Sequence, residues 1–203
     1  MNRSQLNTLT PEECDKLLIY LMSPPENKAP LRVHQRNYTM ALLMLDAGLR
    51  VGELVQLRQD QLWFAATAVG ALTVEKHQAK NKRERTIPIT IRLEAAIHLM
   101  QDQWWKHDTV LGERSAFYAT RCQFPLTTRQ VRRIIASASA KSIGRDIHPH
   151  LLRHTFATKL MRKTSMPVVQ ELLGHKNLSS TQIYTHPNSE DRRKAIEKLN
   201  ENE

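Results

Sequence analysis

The chain has 203 residues, enough for one well-buried domain or, on a tighter partition, two small ones. Thirty Lys and Arg against twenty Asp and Glu leave a formal charge of +10; this points to a polyanionic partner, nucleic acid first, with an ordinary basic surface as the plain alternative. Cys14 and Cys122 without metal-type spacing, no apolar leader in "MNRSQLNTLT" and no apolar run of bilayer length predict a soluble cytoplasmic protein with free thiols, which excludes a disulfide scaffold or a membrane span.

"LTPEECDKLLIYLM" (9–22) predicts a helix, with Thr10 as N-cap, Pro11 at the first position and Glu13 closing a capping box. "SPPENKAP" is a loop. From Arg32 to Ala47 the apolar residues recur at helical spacing, and Gly48 is a natural C-cap. A short helix follows in "RVGELVQL". The period then changes: "LWF", "ALTVEK" and "RERTIPI" read as strands separated by polar, lysine-rich turns. "IRLEAAIHLMQDQWWK" returns to helical spacing, and a loop spans 108–126. "TTRQVRRIIASASAKSI" is a helix with a basic face, and Pro149 opens the next one in "PHLLRHTFATKLMRK". "PVVQELLGHKN" gives a helix ending near Gly174, and "NSEDRRKAIEKLN" a terminal helix with Ala195, Ile196 and Leu199 on one face. The sum is a mainly helical single domain with one small sheet.

Within "HPHLLRHTF" (148–156), His150 and His154 have the spacing of metal ligands, but Leu151 stands where a zinc-protease helix carries its glutamate. Nothing forces His148 or His175 to be a third ligand, so buried histidines satisfied by backbone groups are the better plain reading. A third reading pairs His150 with Arg153 on the same face: a guanidinium fork for a phosphate beside a group that exchanges protons near neutral pH. Arg50 in "AGLRVGEL" sits at a helix start and suits an anion, or is an ordinary surface arginine paired with Glu53. The basic turn in "EKHQAKNKRERTIPI" is either a solvated loop or a finger toward a nucleic-acid backbone. "LLGHKNLSSTQIYTH" holds His175 at a helix end and Tyr184 in a polar segment.

Taken in order, "AGLRVGELVQLR", "RERTIPI", "HPHLLRHTFAT" and "VVQELLGHKNLSSTQIYTH" closely resemble the catalytic domain of the tyrosine recombinases, or phage integrases, from about Leu9 to Pro187. The resemblance implies an α+β, mainly helical catalytic domain over 1–203 with a small antiparallel three-stranded sheet. Residues 188–203 would form a C-terminal tail helix, docked on a neighbouring protomer or on its own domain. Arg50 becomes the first active-site arginine, His150 and Arg153 the H-x-x-R box, His175 the position of His or Trp, and Tyr184 the nucleophile. The lysine of the family's hairpin turn falls on Lys80, with Lys82 as second choice, and Glu53 and His154 occupy supporting positions.

The implied chemistry is site-specific cleavage and rejoining of double-stranded DNA through a 3′-phosphotyrosyl link, with no metal, ATP or other cofactor. The enzyme would be a monomer when free and a homotetramer on DNA, nucleoid-associated when bound, aided in some settings by DNA-bending proteins. Arg129, Gln130, Arg132 and Arg133 would lie along DNA, with Arg129, Gln130 and Arg133 placed for base edges or for phosphates. Arg58, Lys82, Arg83, Lys141, Arg145 and Lys176 would be backbone contacts or solvent-facing charges. The helical DNA-binding domain usual before the catalytic one is expected to be absent. Two rival readings stand beside this one: a relaxing enzyme like topoisomerase IB, and a non-catalytic DNA-binding regulator on a recombinase fold.

Overall fold

A computed structural model describes residues 8–22, 30–79, 82–107, 114–119 and 124–174. The first helix, α1 (Pro11–Met22), starts at the expected capping box: Thr10 N–H donates to Glu13 Oε2 at 2.9 Å and Glu13 N–H to Thr10 Oγ1 at 3.2 Å. Its buried stripe of Cys14, Leu17, Leu18 and Leu21 packs on α2 (Leu31–Asp46) and α5 (Thr128–Ile143). Helix α2 is the centre of the fold. Its run from Met40 to Leu45 is buried on every side, because α1, α4 (Ile91–Gln103) and α6 (Pro149–Met161) surround it. Each such Leu or Met contributes about 1.5–3 kcal/mol when fully buried.

Helix α2 ends at Gly48, whose φ of +62° turns the chain into α3 (Val51–Leu54). A Cβ at Gly48 would collide with the ring of Phe156 on α6. Gly48→Ala therefore combines left-handed strain with overpacking. It is expected to cost about 2–4 kcal/mol in urea denaturation, and a loss below 1 kcal/mol would show that the α2–α6 contact yields.

The sheet departs from expectation. In place of one three-stranded sheet, the described residues form two antiparallel pairs: β1 (Trp63–Phe64) with β2 (Thr67–Ala68), and β3 (Ala71–Val74) with β4 (Arg85–Pro88). The first hairpin turns tightly on Ala65 and Ala66, both at positive φ. Its second strand, absent from the sequence reading, lasts two residues. Val69 N–H still donates to Leu62 O at 3.0 Å on the first ladder, and Ile89 N–H donates to Gly70 O at 3.2 Å on the second, so the two ladders meet at Val69–Gly70 without joining.

Thr90 caps α4, which ends before the tryptophans; Trp105–His107 form a 3-10 turn, and Trp105 Nε1 donates to Ala116 O at 3.1 Å. A second capping box, Thr127 with Gln130, starts α5, and Gly144 at φ +73° ends it. Helix α7 (Met166–Leu173) ends at Gly174 and packs on α6 through Val169 and Leu173 against Ala157, Phe156 and Leu160. Cys14 is a buried free thiol, and burial pushes its pKa up; Cys122 lies outside the described residues, as does the proposed tail helix 188–203. Among the described residues no helix is long and apolar enough to cross a membrane.

Candidate active site

Glu53 is the third residue of α3 and reaches back to its start. Its Oε2 accepts from the Arg50 backbone N–H at 2.8 Å, and its Oε1 from Arg50 Nη1 at 2.8 Å. The plain expectation for this i,i+3 pair was a solvated surface contact. Instead Glu53 is only 1% exposed, and a buried carboxylate needs paired donors. They come from Arg85 at the start of β4: Nη1 donates to Oε1 at 3.0 Å and Nη2 to Oε2 at 2.7 Å. Arg153, from α6, is buried as well. Its Nη1 donates to Gly48 O and lies 3.9 Å from Glu53 Oε2, and its Nη2 donates to Leu173 O at 2.8 Å.

Three guanidinium groups thus gather on one carboxylate, with two positive charges in excess. Burial alone would raise the Glu53 pKa. The hydrogen bond and charge of Arg85, then the Arg50 N–H and the charge of Arg153, outweigh it and hold Glu53 below its ordinary value. The carboxylate is ionised at neutral pH and the cluster keeps its net positive charge.

His150 sits in the first turn of α6, one turn before Arg153. Partial desolvation pushes its pKa below the ordinary 6.5, and the neighbouring His148, Arg153, Arg132 and Arg50 push the same way. Those neighbours place it beside the arginine cluster. At neutral pH it is an uncharged imidazole able to accept a proton. His154, on the next turn and half-buried, is also pushed down, by burial first and then by His148. Among the described residues no group of three or more His, Cys, Asp or Glu could hold a metal ion.

The other expected site residues divide three ways. Lys80, His175, Lys176 and Tyr184 lie outside the described residues. The turn that leads to Lys80 is anchored at its root: Gln78 Nε2 donates to Gln56 O at 2.8 Å, and Gln78 and Ala79 are buried. Lys82, at φ +50°, and Arg83 are exposed on the far side of that turn. Arg129, Arg132, Arg133 and Lys141 are exposed along α5, a helix that touches both α3 and α6. Gln130 Oε1 accepts from Thr127 N–H at 2.8 Å, so a base-edge role would rest on its Nε2. Arg58 and Arg145 pair within the chain, Arg58 with Asp60 and Glu75, Arg145 with Glu13.

Arg85 is the residue that the sequence reading missed. A signal for it was present: in a strand, Arg85 and Ile87 share a face, and a charge on a core-facing position calls for a buried partner.

Comparison with known proteins gives this geometry its setting. The sequence model of the phage integrase family matches residues 7–191. A tyrosine recombinase of Pseudothermotoga lettingae is 35% identical over 193 residues, covering 94% of this chain and 60% of the relative. The crystal structure of XerA recombinase superposes with a TM-score of 0.74 at 25% identity, over 95% of this chain and 62% of that one. XerH recombinase bound to its difH substrate, in a pre-cleavage complex, gives 0.72 at 22% identity over 94% and 53%. The chain therefore spans about half to three fifths of the length of these proteins. With a family match over nearly its whole length and the helical architecture of recombinase catalytic domains, the chain belongs to the phage integrase family.

Proposed function

We propose that the chain is the catalytic part of a site-specific DNA recombinase that cuts and rejoins double-stranded DNA through Tyr184, without metal or ATP. The observation that carries this reading is the net-positive cluster of Arg50, Arg85 and Arg153 around the buried Glu53, with His150 one helical turn from Arg153. A phosphodiester resists nucleophiles because its anionic oxygens repel them, and its five-coordinate transition state carries more charge on those oxygens. Arg50 and Arg153 supply the compensating charge. Removing one such donor elsewhere costs roughly a hundred- to a thousand-fold in rate.

The Tyr184 oxygen attacks phosphorus as His150 takes its proton, and the bond to the 5′-oxygen breaks. Lys80, with Lys82 as the second candidate, protonates that leaving oxygen. The resulting 3′-phosphotyrosyl bond is resealed when a 5′-hydroxyl attacks it and Tyr184 leaves. His175 would donate to the same phosphate, and Glu53 and His154 would hold the reacting side chains in place. The exposed arginines of α5, with Lys82, Arg83 and Lys141, would lie on DNA. Four protomers would assemble on DNA in the cytoplasm, exchanging the 188–203 tail, with accessory DNA-bending proteins where the site requires them. Binding of a DNA substrate by the similar XerH recombinase supports DNA as the partner.

The test is covalent trapping on nicked duplexes tiled from DNA flanking the gene. An SDS-resistant, protease-sensitive adduct is expected. Binding without adduct would instead favour the non-catalytic regulator.

A pH profile follows from the lowered pKa of His150. The imidazole must be uncharged to accept the proton, so the cleavage rate should fall with pH through a midpoint below 6.5. A midpoint above 6.5 that disappears in His150→Gln would show that the surroundings do not lower the His150 pKa, and a profile unchanged in His150→Gln would remove His150 as proton acceptor.

A further inference from the structure

Arg85 meets two elements of the proposed site. Its two terminal nitrogens occupy both oxygens of Glu53, and its Nε donates to Leu172 O at 3.0 Å in the last turn of α7. Arg153 binds the next carbonyl, Leu173 O. Arg85 is buried away from the surface, so any influence on the site passes through Glu53 or through the end of α7.

We propose that Arg85 is a positioning residue: by neutralising Glu53 it leaves the charges of Arg50 and Arg153 available to a phosphate. The inference rests on the recombinase reading and deepens it. Without Arg85, one carboxylate would face two guanidiniums instead of three. Arg50 already touches Glu53 Oε1, and Arg153 lies 3.9 Å from Oε2. Both would be drawn further onto the carboxylate, and the positive charge left for a phosphate would fall by half. Charge interactions are strong in so buried a setting, where water does not screen them.

A charge-balancing role and a merely packing role for Arg85 lead to different outcomes. Arg85→Met should slow adduct formation about a hundred-fold at saturating nicked duplex, the scale of one lost charge donor. Adding Glu53→Gln removes the carboxylate that Arg85 had neutralised. The double variant should recover at least about ten-fold, because two guanidiniums again face no counter-charge. Replacing both members of a buried ion pair is also better tolerated than removing one, so the double variant keeps the question open to measurement if Arg85→Met alone does not fold. Arg85→Lys retains the charge and should stay within about ten-fold of wild type, although Lys cannot reproduce the fork.

Adduct rates, DNA affinity and thermal unfolding are measured for wild type, Arg85→Met, Arg85→Lys, Glu53→Gln and the double variant. Additive losses in the double variant, or Arg85→Lys falling as far as Arg85→Met, would overturn the proposal and leave Arg85 as a packing residue. If wild type forms no adduct, the recombinase reading fails, and Arg85 is judged by another probe. The His150 ring resonances are followed by NMR as inorganic phosphate is added. Phosphate should bind wild type, bind Arg85→Met about ten-fold more weakly and recover in the double variant. Equal affinities, or no response in wild type, would overturn the inference independently of cleavage.

Discussion

Tyr184→Phe is expected to abolish covalent capture of DNA while leaving DNA affinity within about ten-fold of wild type. The substitution removes one hydroxyl. As a binding group that hydroxyl is worth at most one hydrogen bond, about 0.5–1.5 kcal/mol, and Phe keeps the aromatic ring. In the proposed reaction it is the nucleophile, and no phosphotyrosyl bond forms without it. The two variants run side by side on denaturing gels, after filter binding confirms that both hold the duplex. An adduct that persists in the Phe variant would move the nucleophile to another residue.

Arg153→Ala is expected to lower the rate of adduct formation roughly a hundred- to a thousand-fold and to destabilise the fold by about 2–5 kcal/mol. Two effects combine, and both follow from burial. The guanidinium satisfies the Gly48 and Leu173 carbonyls, which join the end of α2 to the end of α7, and its removal leaves them without that donor. It also contributes one of the charges in excess around Glu53. Urea denaturation reads the first effect, and single-turnover cleavage, at a temperature where circular dichroism shows the variant folded, reads the second. Arg153→Lys retains the charge but not the planar fork, so it should recover part of the rate and little of the stability. A folded Arg153→Ala protein that cleaves at the wild-type rate would remove Arg153 from the reaction.

Much of the fold was legible because its signals are local. Thr10 with Glu13, and Gly48 and Gly174 after their helices, each act within one turn of the chain. Neighbouring residues alone decide them. The Thr127–Gln130 box is equally local, yet Gln130 was read only as a contact to DNA. The sheet was less legible. Whether two-residue strands join one ladder or two depends on how the backbone turns at Val69–Gly70, which no periodicity reports.

The candidate site divides along the same line. Sequence by itself determined which residue types were at hand and in what order: Arg50, the His150–Arg153 pair on one helix face, and the membership of the family. It could not determine that Glu53 is buried, nor that Arg85, 32 residues away, is its principal partner. The same holds for the partners of Arg58 and Arg145: read as DNA-backbone contacts or solvent-facing charges, the two arginines pair with Glu75 and Glu13. Only the tertiary structure decided these points. The free energy of a charge depends on its solvent and its nearest counter-charge, and packing alone sets both.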